Sequence, residues 1–133
     1  MTPRQIDANG RIPPLSGTAF FEAARAAHQH LAAAFEGRRL TGFVIATRHG
    51  PDDLELDWLM VDPREHGSGT AAALMREGMY WLGPNRPIWL TVIRHNHRAI
   101  GFYRKFGFEI DPAGLLARPV PSCVMRRQAV GDA

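Results

Sequence analysis

The run Val61-Asp-Pro63-Arg-Glu-His66-Gly67-Ser-Gly69-Thr-Ala71-Ala-Ala-Leu74-Met75 decides how this chain is read. It leaves an apolar segment, crosses a polar, glycine-containing turn, and enters a helix-forming stretch that runs to about Leu82, where Gly83 and Pro84 stop it. The first amides of a helix have no partners within it, and glycines in the turn keep Cβ atoms out of the way. The helix dipole adds partial positive charge at the same point. Strand, turn and helix in this order therefore predict a cradle for an anion, phosphate above all. Leu74, Met75, Gly78, Met79 and Leu82 share one helical stripe, which predicts that the helix packs on a sheet.

Upstream, Leu54 to Val61 reads as a strand, with Leu54, Leu56, Trp58 and Met60 on an apolar face and Glu55, Asp57, Leu59 and Val61 on the other. Before it, Glu36-Gly37-Arg38-Arg39 best suits a hairpin turn between strands 30–36 and 39–47. Ala favours helix through Leu31 to Phe35 as well, so that reading stays open at this point. Phe20, Phe21, Ala24 and Ala27 fall on one side of a stretch that Ser16 or Thr18 could cap, and predict an amphipathic helix from Phe20 to His28. Residues 1–16 read as an extended lead-in and 128–133 as a tail.

Downstream, Ile88 to Ile93 has the length of a buried strand, a helix covers about 97–105 before Gly107, and Phe108–Ile110 and Ser122–Arg126 supply two closing strands. The predicted architecture is a single α/β (α+β) domain over 1–133, with a mixed, mostly antiparallel central sheet, flanking helices and a short N-terminal part.

Composition narrows the function classes. Of 133 residues, 45% are apolar and 22% charged, which suits one folded domain and excludes a charge-rich disordered segment. With Cys123 alone there is no internal disulfide, no apolar run spans a bilayer, and the first residues lack the apolar stretch of a signal peptide. A cytoplasmic home is the expectation. Sixteen Lys and Arg against thirteen Asp and Glu give a net charge of +3, too little to demand nucleic acid. Every cation but Lys105 is Arg, which reflects either coding bias or phosphate recognition.

The segment from Val61 resembles the GNAT superfamily of acyl-CoA-dependent N-acyltransferases. The family pattern Val-x-Pro, Gln or Arg, then Gly-x-Gly-x-Gly/Ala and a helix with paired Leu is matched by Val61, Pro63, His66-Gly67-Ser68-Gly69-Thr70-Ala71 and Leu74-Met75. A second pattern, Asn-x-x-Ala with an aromatic pair and Gly-Phe, is matched by Asn96-His-Arg-Ala99, Phe102-Tyr103 and Gly107-Phe108. His66 departs from the usual Gln or Arg; a register using Arg64 instead misplaces the Pro63 and Leu74 landmarks. The resemblance covers roughly residues 28–127.

It implies acetyl-CoA as co-substrate and a primary amine as acceptor. The pantetheine arm would lie along Met60 and Val61 as an extra strand where strand 54–61 splays from strand 88–93. The pyrophosphate would sit on amides from Gly67 to Ala71 beside His66. Asn96 would bond the arm, cap the second helix, or both. Tyr103 corresponds to the general acid that protonates the departing thiolate. Glu55 and Asp57 are the candidate bases, since an ammonium must lose a proton before attack. A backbone amide near Met60 or Val61 is the candidate oxyanion donor. No side-chain nucleophile is needed, so Cys123 is expected to be a buried apolar residue. His28, His30, His95 and His97 are expected on surfaces or turns, with no metal bound. Arg94, Arg98, Arg104 and Lys105 with His95 and His97 form a cationic cluster around the second motif, suited either to the nucleotide phosphates or to solvent. The short N-terminal part suggests a homodimer that completes the acceptor side. The alternative function is a non-catalytic acyl-CoA-binding sensor or partner subunit on the same fold.

Overall fold

Residues 19–25, 28–117 and 120–129 are described by the computed structural model. The strands are β1 (Ala19–Arg25), β2 (Gln29–Glu36), β3 (Arg39–Gly50), β4 (Asp53–Val61), β5 (Ile88–Ile93), β6 (Glu109–Leu116) and β7 (Ser122–Arg127), with helices α1 (Thr70–Leu82) and α2 (His97–Arg104). They form one seven-stranded sheet in the order β1-β2-β3-β4-β5-β7-β6. Every neighbouring pair is antiparallel except β4 and β5, whose parallel relation requires the α1 crossover between them. The mixed, mostly antiparallel sheet expected from the sequence is present.

Packing follows from the apolar stripe of α1. Leu74, Met75, Met79 and Leu82 are buried with Ala32, Ala34, Val44, Ala46, Leu54 and Leu56 from the facing strands. Gly78 lets the helix close on the sheet: a Cβ there would stand 3.2 Å from Val44 Cγ2. Gly42 serves the same purpose between strand and helix, because its Cβ would fall 2.7 Å from the Met60 carbonyl oxygen and 3.0 Å from Leu74 Cδ1. Cys123 is buried as expected, and burial raises its thiol above the ordinary range.

Four expectations are corrected. The helix expected over Phe20–His28 is absent; Ala19–Arg25 is a strand that pairs Phe20 with Phe35 and Ala24 with Leu31. Helix propensity separates most residues by only tenths of a kcal/mol, whereas the edge of β2 supplies a complete row of backbone partners. The candidate caps Ser16 and Thr18, the lead-in and most of the tail lie outside the described residues. The strand expected at Phe108–Ile110 instead begins at Glu109 and continues to Leu116, with residues 111 to 114 standing opposite Val124 alone.

His30 is not a surface residue but 1% exposed. Its Nε2 lies 2.7 Å from Glu77 Oε2, and its ring stacks on Trp81 at 5.4 Å between centroids. The hydrogen bond between the two offsets part of the cost of burying them in the core.

The fourth correction concerns β4. Ile45 pairs with Trp58 and Ala46 with Leu56, so Asp57 is an extra residue with no opposite number in β3. Such a bulge reverses the alternation beyond it. Leu54 and Leu56 face α1 before the bulge; after it Leu59 and Val61 take over, and Trp58 and Met60 emerge 55% and 49% exposed. The single apolar face read from the sequence is thus two half-faces on opposite sides of the sheet.

Candidate active site

The parallel strands β4 and β5 meet at Glu55 and Trp89, their one paired position. Beyond it they diverge, leaving the later part of β4 with an open edge. Which amides point there follows from the alternation of an antiparallel ladder: the Asp62 amide donates to Thr41 O at 2.8 Å, so Met60 also faces β3, while Leu59 and Val61 face the gap. The Met60 amide thus points away from the gap, and its side chain is half-exposed.

The turn after β4 is built for exposed donors. A 3-10 turn over Pro63–Glu65 is started by Asp62, whose side chain accepts from the Arg64 amide at 2.9 Å. Gly67 and Gly69 have φ of 86° and 93°, and a Cβ on either would meet nothing within 4 Å. They supply the left-handed backbone that brings the chain into α1 and leave the concave side clear. The amides of His66 and Ser68 are used, donating to Pro63 O and Glu65 O. The Thr70 amide donates to Ser68 Oγ at 3.3 Å, while the Ser68 hydroxyl bonds Glu65 O at 2.6 Å. Those of Gly67, Gly69, Ala71 and Ala72 carry no hydrogen bond among the described residues. The turn therefore offers the amides of Gly67, Gly69, Ala71 and Ala72, and the His66 side chain beside them is exposed.

Arg39, which the sequence reading passed over, holds this turn to the β2–β3 hairpin. Its guanidinium donates to Asp62 at 3.1 Å, Glu65 at 2.8 Å and Glu36 at 3.0 Å. Hydrogen bonds from Arg64 hold the Asp62 carboxyl down at about 2. Arg64 is thereby committed to Asp62, at 2.9 Å.

At the mouth of the gap, Asn96 caps α2, its Oδ1 accepting from the Ala99 amide at 3.1 Å. Two turns on, Tyr103 is half-buried, edge-on to Phe102 and Phe108 at 5.6 and 6.3 Å, and burial raises its phenol above the ordinary value. Arg94, His95, His97, Arg98, Arg104 and Lys105 are all exposed.

Both carboxylates lie near the point where the strands part, and both are partly buried. Asp57, at the bulge, accepts from Thr47 Oγ1 at 3.2 Å, and Gln29 donates to the same Thr47 oxygen at 3.3 Å. Glu55 lies 2.7 Å from His49 Nε2. Thr47, Gln29 and His49 went unnoticed because they come from neighbouring strands with no motif of their own. Among the described residues no group of three or more His, Cys, Asp or Glu side chains could hold a metal.

Comparison with known proteins follows the same lines. Residues 5–108 match the family model described as acetyltransferase (GNAT) family. An uncharacterized N-acetyltransferase of Mycobacterium tuberculosis is 36% identical over 110 residues, covering 80% of this chain and 66% of that protein. The chain thus spans just under two thirds of the length of this relative. The L-amino acid N-acetyltransferase AaaT of Escherichia coli is 45% identical over 60 residues, 42% of this chain and 36% of its own. Among solved structures, nourseothricin acetyltransferase superposes with a TM-score of 0.69 at 20% identity, covering 90% of this chain and 91% of that one. The PaiA N-acetyltransferase of Thermoplasma acidophilum, solved with coenzyme A, gives 0.64 at 20% identity, covering 76% and 61%.

Proposed function

The chain belongs to the GNAT acetyltransferase family, and from that premise we propose that it transfers an acetyl group from acetyl-CoA to a primary amine by direct attack in a ternary complex. The observation that carries this reading is the gap between β4 and β5, open beyond Glu55 and Trp89 and leading at its wide end to the free amides of Gly67, Gly69, Ala71 and Ala72. The pyrophosphate takes those amides, with Ser68 and Thr70 shaping the turn and His66 beside it. The pantetheine arm runs down the open edge of β4, accepting from and donating to the Leu59 and Val61 backbone as an added strand does. The Asn96 side chain keeps its NH2 group for the arm while its oxygen caps α2.

From Val61 back to Asp57 is roughly 13 Å of strand, which sets the thioester near the bulge. Asp57 and Glu55 flank that point and deprotonate the incoming ammonium. The tetrahedral oxyanion is stabilised by an amide facing the gap, that of Leu59 or Val61. Tyr103 protonates the thiolate; its buried phenol stays protonated at neutral pH, as a general acid requires. A second copy of the chain completes the acceptor side over Trp58 and Met60, and the enzyme works in the cytoplasm.

Thiol release from acetyl-CoA, followed over a panel of amino acids, small amines, polyamines, aminoglycosides and peptides, tests the reading. At least one amine should give saturable turnover, and Tyr103→Phe should lower kcat by about 10²-fold or more. Acetyl-CoA binding without turnover on any amine would instead favour a non-catalytic acyl-CoA sensor. An active enzyme that stays monomeric in solution would remove the dimer.

A further inference from the structure

Glu55 is well placed to take a proton but poorly placed to lose one, because its side chain is only 13% exposed. Burial raises its carboxyl above the usual range, against the opposing pull of the His49 hydrogen bond. Among the described residues, the one titratable side chain bonded to it is His49, from the end of β3, with Nε2 2.7 Å from Glu55 Oε1 and 43% of its own side chain exposed. The imidazole is held in place. It stacks on Trp89 of β5, with 6.1 Å between centroids and 23° between planes, and the Trp89 indole N–H donates to Asp53 Oδ1 at 2.6 Å. Glu55 and Trp89 are also the two residues that close the β4–β5 gap. The histidine therefore bridges the closed end of the gap and bulk water.

We propose that His49 is a proton-relay residue that carries the acceptor's proton from Glu55 to solvent. This rests on the transferase reading above. The ammonium gives one proton to Glu55, leaving a neutral amine to attack. The neutral carboxyl passes it from oxygen to Nε2 of an uncharged His49, and the resulting imidazolium releases its Nδ1 proton to water. Exchange of the exposed ring with water then restores the tautomer that can accept again. One proton leaves the amine and one reaches bulk solvent, with no net change in either side chain.

The charged groups around His49 favour this direction. The hydrogen bond from Glu55 comes first in raising the imidazole pKa, with weaker contributions from the charges of Asp53 and Asp57, all on β4. From β3 the neighbouring charge is Arg48, turned instead onto the Trp81 ring at 4.0 Å. From the β5 side the ring stacks on the uncharged indole of Trp89. The relay accepts only when His49 is neutral, so wild-type kcat should fall on the acid side through a midpoint above the ordinary imidazole value of about 6.5.

The test is the pH profile of kcat for wild type and His49→Gln, with whichever amine the thiol-release panel identifies. His49→Gln should lose that acid limb and drop about tenfold or more in plateau kcat, keep the KM for acetyl-CoA, and regain rate on adding free imidazole. In parallel, the His49 imidazole, followed by NMR, should titrate lower in Glu55→Gln than in wild type. A His49→Gln enzyme with unchanged kcat and profile overturns the relay while leaving the transferase standing, as does a uniform loss that imidazole does not restore. Wild-type protein that turns over no amine overturns both.

Discussion

His30 and Glu77 meet at 2.7 Å in the buried contact between β2 and α1, with 1% and 3% of their side chains exposed. Only one side of the imidazole is satisfied, since Nδ1 has no partner among the described residues. Glu77→Ala would leave both ring nitrogens buried without a partner and should cost about 1–3 kcal/mol. Glu77→Gln, which keeps a hydrogen-bonding atom in reach, should cost less. Urea unfolding of the two variants measures this, and equal midpoints would show that the pair contributes nothing through the bond.

Gly67 and Gly69 should be needed for conformation rather than for space. Alanine at Gly69 meets no neighbour, yet its φ of 93° imposes strain of about 1–2 kcal/mol on any residue with a Cβ. If the turn relaxes to relieve it, acetyl-CoA should bind roughly five- to thirtyfold more weakly. Calorimetric titration with acetyl-CoA decides; unchanged affinity in Gly69→Ala would mean that the turn does not need its left-handed residue.

Gly42→Ala makes the opposite test, because there a Cβ has nowhere to go. With the Met60 carbonyl oxygen 2.7 Å away, β3 and β4 must separate or α1 must shift, at about 1–3 kcal/mol. Thermal unfolding should show the loss. A variant as stable as wild type would indicate that the two strands move apart without resistance.

The Asp62 carboxyl, held at about 2 chiefly by Arg64, makes the turn dependent on acid pH in a defined window. Its pKa is depressed on folding, so its contribution is complete above the ordinary carboxylate range near 4 and is lost as pH falls toward 2. Melting curves of wild type and Asp62→Asn should differ above about pH 4 and converge below it. A constant offset across pH 2 to 6 would contradict this.

Much of the fold could be read from sequence because its signals are local. The Ile88–Ile93 strand, the α1 stripe from Leu74 to Leu82 and the Asn96 cap each lie within a dozen residues and depend on periodicity or capping. What escaped was set by distant partners. Ala19–Arg25 is a strand because β2 is beside it, and His30 is buried because Glu77 awaits it 47 residues away. The site divides in the same way: the cradle glycines lie two positions apart in one short turn, whereas Arg39, Thr47 and His49 reach it from another strand.

The extra residue at Asp57 gives β4 two frames, and the protein depends on both. A point substitution changes one side chain and leaves the frame intact. Deleting Asp57 would instead make Ala46–Leu56 and Ile45–Trp58 consecutive pairs of a regular ladder, keeping Leu59 and Val61 toward α1 and Trp58 and Met60 outward while removing the bend and a carboxylate. Natural variation should therefore tolerate the loss of one residue at the bulge as far as the core is concerned, but a deletion on the paired stretch of the strand should not be tolerated, because there it shifts side chains to the other face.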